Sequence, residues 1–397
     1  MATPEELFNP FLPEFHADPY PAYHRLRSIA PVYQTPMGFW VLTRYDDVVM
    51  ALRDPRFGRD GFDQLLAAMY DTEGSRLPRS MLFRDPPDHT RLQALVSKAF
   101  TPRVIEGMRA HIQDVVDRLL DRVQPAGTMD VIAELAYPLP VTVICEMLGV
   151  PPEDQGSIRQ WSSDVARSLD AIGIPADEEI VVRGREARHA LGAYFRRLLP
   201  ERRRRPQDDL LSMLIAAEEA GDKLSEGELL ATCVLLFIAG HETTVNLIGN
   251  GLLALLRHPD QLARLAAEPA LIHSAVEELL RFDSPVQRTA RITNADAEID
   301  GHAIAKGSLV VIAIGAANRD PAQFPDPDRL DVGRRDNRHV AFGFGIHFCL
   351  GAPLARVEGQ IALGTIIRRM PGLASAGTPT WRESSTLRGL KTFPVAF

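Results

Sequence analysis

Residues 341–351 read AFGFGIHFCLG and place Cys349, one of only three cysteines in the chain, among glycines and aromatic rings. Gly343, Gly345 and Gly351 flank it, and residues without a Cβ permit unusual backbone angles and close approach of a flat ligand. The next residues, Gly351-Ala352-Pro353-Leu354-Ala355-Arg356, read as a helix start with Pro353 in the first turn, where its missing N–H does no harm. Free amides at a helix N-terminus hold a thiolate and lower the cysteine pKa.

Three chemistries compete for this loop. A buried structural cysteine leaves the surrounding glycines unexplained. A nucleophilic pair with His347 is the second reading, yet the base of such pairs normally comes from elsewhere in the sequence. The third is an axial thiolate on haem iron, which needs a glycine-lined bed, amide hydrogen bonds to sulfur and aromatic shielding by Phe342 or Phe348. It accounts for the most residues.

A second chemical stretch is Ala239-Gly240-His241-Glu242-Thr243-Thr244. Glycine within a helix costs about 1 kcal/mol relative to alanine, so Gly240 predicts a close approach, with the helix touching a ligand. Ala239, Gly240 and Thr243 share one helical face, which turns the Thr243 hydroxyl to the same side as that close approach. His241 points to another face and is read as non-catalytic. Glu278 and Arg281, three residues apart, make an E-x-x-R pair.

Phe342-Gly343-Phe344-Gly345-Ile346-His347-Phe348-Cys349-Leu350-Gly351 resembles the F-x-x-G-x-x-x-C-x-G signature of the cytochrome P-450 haem-thiolate monooxygenases. The Ala239–Thr244 stretch is similar to that family's A/G-G-x-D/E-T-T, and FPDPDRLD at 324–331 to its meander. The motifs keep the family order from the N-terminal NPFLPEFHADPYPAYHRLR to the final hairpin.

The resemblance implies haem b, with Cys349 as proximal iron ligand and Ala239, Phe342, Gly345 and Gly351 around the cofactor. It implies propionate contacts from His89 in DPPDHTRL, Arg291 in TARIT, and His347. Gln93 stands where family members commonly carry arginine, so one propionate loses a charge partner or Arg91 compensates. Glu242 and Thr243 would form a proton relay to the distal oxygen, and this pair, which peroxide-using members lack, favours electron-driven monooxygenation. Glu278, Arg281 and Arg329 would form a buried ion network holding the cysteine loop.

The family pocket maps onto Leu66, Met69, Tyr70, Leu82, Phe83, Leu235, Ala239, Val286, Gln287 and Leu390, mostly apolar, implying a hydrophobic or mixed small-molecule substrate. The reaction implied is hydroxylation or epoxidation, as in secondary metabolism, with coupling or isomerisation without oxygen insertion as the alternative. No fused flavin or iron–sulfur segment is expected. Electrons would come from a ferredoxin or flavodoxin with an NAD(P)H reductase, docking through Arg91, Lys98, Arg338 and Arg356.

Certain elements must position these groups. Ser225 and Glu228 form a capping box, and Pro259 stops the helix they begin, so one helix runs from Ser225 to about His258. PVYQTPMGFWVLTRYDDV at 31–48 predicts a hairpin about Met37-Gly38. Amphipathic patterns at 90–100, 104–123 and 269–282 predict helices. The fold class expected is mainly α, a P-450 fold in one domain over 1–397, with β structure near 30–60 and 284–315. Arg202–Arg205 reads as a solvated turn between helices.

Composition closes off other functions. A net charge of −8 argues against nucleic-acid binding. Cys145, Cys233 and Cys349 are widely spaced, which indicates neither a disulfide framework nor structural zinc and fits a reducing compartment. The longest apolar run, 229–240, is short of the roughly 20 residues a bilayer needs, and the N-terminus lacks a signal-peptide pattern, so a cytoplasmic protein without membrane insertion is expected.

Overall fold

The computed structural model describes residues 8–62, 78–172, 177–219 and 224–397. They gather into two compact units: the chain up to Phe57 with Ile105–Pro140 and Thr243–Phe397, and Gly58–Val104 with Val141–Glu242.

The first unit holds the β structure. Strands β1 (Val32–Gln34) and β2 (Trp40–Leu42) pair antiparallel, with Gly38 at a φ of 88° in the connection, so the expected hairpin is present. Two later strands, β3 (Thr289–Thr293) and β4 (Leu309–Ile312), pair antiparallel, and β4 lies parallel to β2 with Trp40 opposite Val310. Trp40, Leu42, Val310 and Ile312 pack with Val48, Leu52 and Ile314 into an apolar cluster.

Helices dominate the rest. Those that matter to the site are α1 (Asp88–Val96), α2 (Arg109–Val123), α3 (Pro138–Met147), α4 (Gln155–Ser168), α5 (Glu178–Arg204), α6 (Glu226–Arg257), α7 (Ile272–Phe282) and α8 (Ala352–Arg369). Along α2 the apolar positions Ile112, Val115, Val116, Leu119, Leu120 and Val123 recur at helical spacing and are all buried. In the first unit α8 packs on α2 and α7, with Gln113 bonded to Thr365 and Arg369 to Asp117. In the second unit α4 packs along α5, where Gly184 lies so near Ser168 that a Cβ would overlap it.

Helix α6 begins as its sequence dictates. Ser225 N–H donates to Glu228 Oε2 at 2.9 Å and Glu228 N–H donates to Ser225 Oγ at 3.3 Å, a reciprocal capping box. Pro259 opens the next helix, Pro259–Ala267, fixing the end of α6. Among the described residues α6 is the one helix long and apolar enough to cross a bilayer, and 78% of its most apolar window is buried within the protein.

The basic run at 202–205 differs from the reading above. Arg202, Arg203 and Arg204 form the last turn of α5. Arg202 donates to Gly149 O at 2.6 Å and pairs with Asp209, so helix propensity and buried partners extend the helix through the charges.

Candidate active site

The cysteine loop is built by its own backbone. Gly343 and Gly345 both have a φ of 71°, the left-handed region. At Gly345 a Cβ would also stand 2.6 Å from Leu52 O, so this position excludes every side chain. A short helical turn, Gly345–His347, then carries the chain to Cys349, whose N–H donates to Phe342 O at 2.9 Å. Helix α8 starts immediately after, with Gly351 at its N-cap and proline in its first turn.

Cys349 is solvent-accessible, whereas Cys145 and Cys233 are buried. The thiol nevertheless sits in a recess: burial pushes its pKa up, and the Gly351 amide, the Arg356 charge and the Ala352 amide offset only part of that rise, so the lowering expected from the helix N-terminus is outweighed. Burial drives Cys145 and Cys233 up to about 12, which leaves them inert thiols. An accessible sulfur at a helix N-terminus, among glycines that admit a flat group, fits a haem iron ligand. His347 is half-buried in the same loop, and Arg291 is buried on β3.

Behind the loop stands the E-x-x-R helix α7. Arg281 donates from Nε and Nη2 to the Glu278 carboxylate at 2.7 and 2.8 Å, both side chains being fully buried. The third member of the network is Arg334, with Nε 3.1 Å from Glu278 Oε2. This corrects the expectation for Arg329, whose side chain is exposed and which contributes only its carbonyl, accepting from Arg281 and Arg334. The reason is the turn: Asp331 N–H binds Glu278 Oε1, and the bend at Asp331–Arg334 swings the later arginine onto the carboxylate.

On α6, Leu235, Ala239 and Thr243 keep accessible surface while most of their neighbours are buried. Their four-residue spacing makes one open stripe along the helix. Gly240 serves a different contact from the one expected: its missing Cβ leaves room for Ile144 of α3, which a methyl group would meet at 2.8 Å. The close approach is helix packing.

Glu242 is buried, with Oε1 3.6 Å from His241 Nε2. His241 is fixed by Phe237 O at 2.7 Å from Nδ1 and by Ser162 Oγ at 3.0 Å from Nε2, so it ties α6 to α4. Thr244 approaches Glu358 of α8, a buried acid absent from the sequence reading. Neither Glu358 oxygen has a hydrogen bond of normal geometry, and burial pushes its pKa up to about 8.

His89 is buried on α1. Arg91 is committed elsewhere, donating to Glu228 Oε1 at 2.6 Å and Asp88 Oδ1 at 3.2 Å. Of the other proposed docking bases, Lys98 and Arg338 are exposed, while Arg356 is held by Glu277.

Pocket candidates divide in the same way. Leu82 and Val286, like Leu235 and Ala239, retain accessible surface. Phe83 is buried against Phe62 and Arg59, and Leu390 is fully buried. Gln287 donates to Ser284 O and Tyr20 Oη, so hydrogen bonding and packing hold it in the core. Leu66, Met69 and Tyr70 lie outside the described residues.

The Cytochrome P450 family model matches residues 178–378. The chain is 44% identical to Cytochrome P450 107B1 of Saccharopolyspora erythraea, covering 96% of this chain and 95% of that protein. It is 45% identical to Vitamin D(3) 25-hydroxylase of Pseudonocardia autotrophica, covering 99% and 97%. Among solved structures, ligand-free CYP164A2 of Mycobacterium smegmatis superposes with a TM-score of 0.92 at 42% identity over 100% of both chains. Similarity of this extent, on a mainly α fold, makes the chain a member of the cytochrome P450 family of haem b monooxygenases.

Proposed function

We propose that this protein inserts one oxygen atom from O2 into a hydrophobic or mixed small organic molecule, by hydroxylation or epoxidation, as one catalytic domain over 1–397. The observation that carries this reading is the accessible Cys349 thiol facing the amides of Gly351 and Ala352 in a glycine-shaped loop. When bound, haem supplies a redox-active iron at which O2 is split, one atom entering the substrate and the other leaving as water.

The chain's own residues divide the remaining work. Cys349 would bind the iron, and Phe342, Gly345, Gly351 and Ala239 would hold the ring system. His89, Arg291 and His347 would take the propionates. Thr243 Oγ1, on the open stripe of α6, delivers a proton to the reacting oxygen, and the Glu242 carboxyl restores it. Leu82, Leu235, Ala239 and Val286 offer apolar contact to the substrate. That one relative is a vitamin D(3) 25-hydroxylase supports hydroxylation of a small organic molecule.

Electrons arrive from a ferredoxin or flavodoxin served by an NAD(P)H reductase. Lys98 and Arg338, exposed and cationic, would suit the docking of such an acidic partner. Lys98 borders a groove of about 700 Å³ lined also by Pro86, Pro87, Thr90, Arg91, Ala94 and Leu95.

Turnover under isotopically labelled O2 with a surrogate ferredoxin and reductase tests the reading. One labelled oxygen atom in the product supports it. A product without the label would favour coupling or isomerisation.

A further inference from the structure

Two adjacent carboxylates of α7 face different tasks. Glu278 turns inward to Arg281 and Arg334. Glu277 faces α8 and the cysteine loop, accepting from Arg356 Nε at 2.7 Å and Nη2 at 2.8 Å, with His339 Nε2 at 3.1 Å from its Oε2. The pairing is strong: burial alone would raise the Glu277 carboxyl, but the bonds from His339 and Arg356 outweigh it and take it down to about 2.

Arg356 does more than close this pair. Its Cζ lies 4.5 Å from the centroid of the Phe342 ring, within cation–π range. His339 and Phe348 close in on the same ring, with centroids at 5.9 and 6.3 Å. Phe342 in turn accepts the Cys349 N–H through its carbonyl. A continuous set of contacts therefore runs Glu277, Arg356, Phe342, Cys349, and the Arg356 charge acts on the Cys349 sulfur as well.

We propose that Arg356, held by Glu277 and His339 against Phe342, is a positioning residue that sets the electrostatic field at Cys349 and so the ease with which the haem iron is reduced. The inference rests on Cys349 being the iron ligand. Reduction adds negative charge to the cofactor, so a neighbouring cation favours it and an uncompensated carboxylate opposes it. In the native pair the two charges nearly cancel, and removing either one exposes the other.

The test is the midpoint potential of the purified haem-loaded protein, measured by spectroelectrochemistry without any redox partner. Arg356→Met should lower the potential, Glu277→Gln should raise it, and the double variant should return close to wild type. Arg356→Lys, which keeps the charge, should stay nearer wild type than Arg356→Met. Each sample also receives a carbon monoxide difference spectrum. Unchanged potentials, or shifts of one sign in both single variants, would overturn the inference while the thiolate-type Soret band persists. Absence of that band from the wild type would instead remove the assignment of Cys349 beneath it. If Arg356→Met loses haem, Glu277→Gln alone decides, through a rise or no change.

Discussion

Arg334 and Glu278, separated by more than fifty residues in sequence, meet with Nε 3.1 Å from Oε2, and the carboxylate also receives Arg281, Asn337 and the Asp331 amide. A carboxylate with no exposed surface is tolerable only because all these donors converge on it.

Arg334→Ala should therefore leave part of a buried charge uncompensated and cost about 3–5 kcal/mol. Arg329→Ala keeps the carbonyl that does the bonding and should stay within about 0.5 kcal/mol of wild type. Urea unfolding of both variants separates the two arginines. Equal losses would restore Arg329 to the network.

Gly345→Ala meets two obstacles at once, a φ of 71° and the Leu52 carbonyl 2.6 Å from the new methyl carbon. The loop must distort, at about 1–3 kcal/mol. The purified variant should carry less haem per chain, read from its Soret-to-protein absorbance ratio. Full haem content with unchanged stability would show that the loop does not need this geometry.

These two sites show what the sequence makes legible. The capping box at Ser225 and Glu228, the Gly38 hairpin and the glycine-rich loop follow from rules acting over a few residues, and each is present. The partner of Glu278 depends on how a later turn folds back, and two arginines five residues apart cannot be told apart before that turn is seen. Gly240 illustrates the same limit. Its spacing announces a close approach but not the side chain that arrives, which is Ile144. Glu358 carries no sequence signal, because a glutamate seven residues into a helix reads as surface until packing buries it.

Glu358 makes stability depend on pH in a defined direction. Its carboxyl rises from an ordinary 4.5 to about 8 through burial, so the folded chain keeps a proton that the unfolded chain releases between those values. The stability that protonated Glu358 contributes is fully present below 4.5 and is lost as pH rises toward about 8. Glu358→Gln removes this dependence. Its melting temperature relative to wild type should climb from about pH 5 to about pH 8. Parallel curves would mean that Glu358 does not titrate in this range.

Thr243→Ala removes the hydroxyl from the open stripe of α6 while keeping helix propensity high. Product formed per reductant consumed should fall several-fold, with hydrogen peroxide appearing in its place. Both are measured in one assay. Undiminished coupling would take Thr243 out of the proton relay.

The central claim is that Cys349 is the iron ligand. The most direct measurement is the carbon monoxide difference spectrum of the dithionite-reduced protein beside Cys349→Ser. A strongly red-shifted Soret band, lost in the variant, is the predicted result. A wild-type band like that of histidine-ligated haem, or one that survives Cys349→Ser, would contradict it.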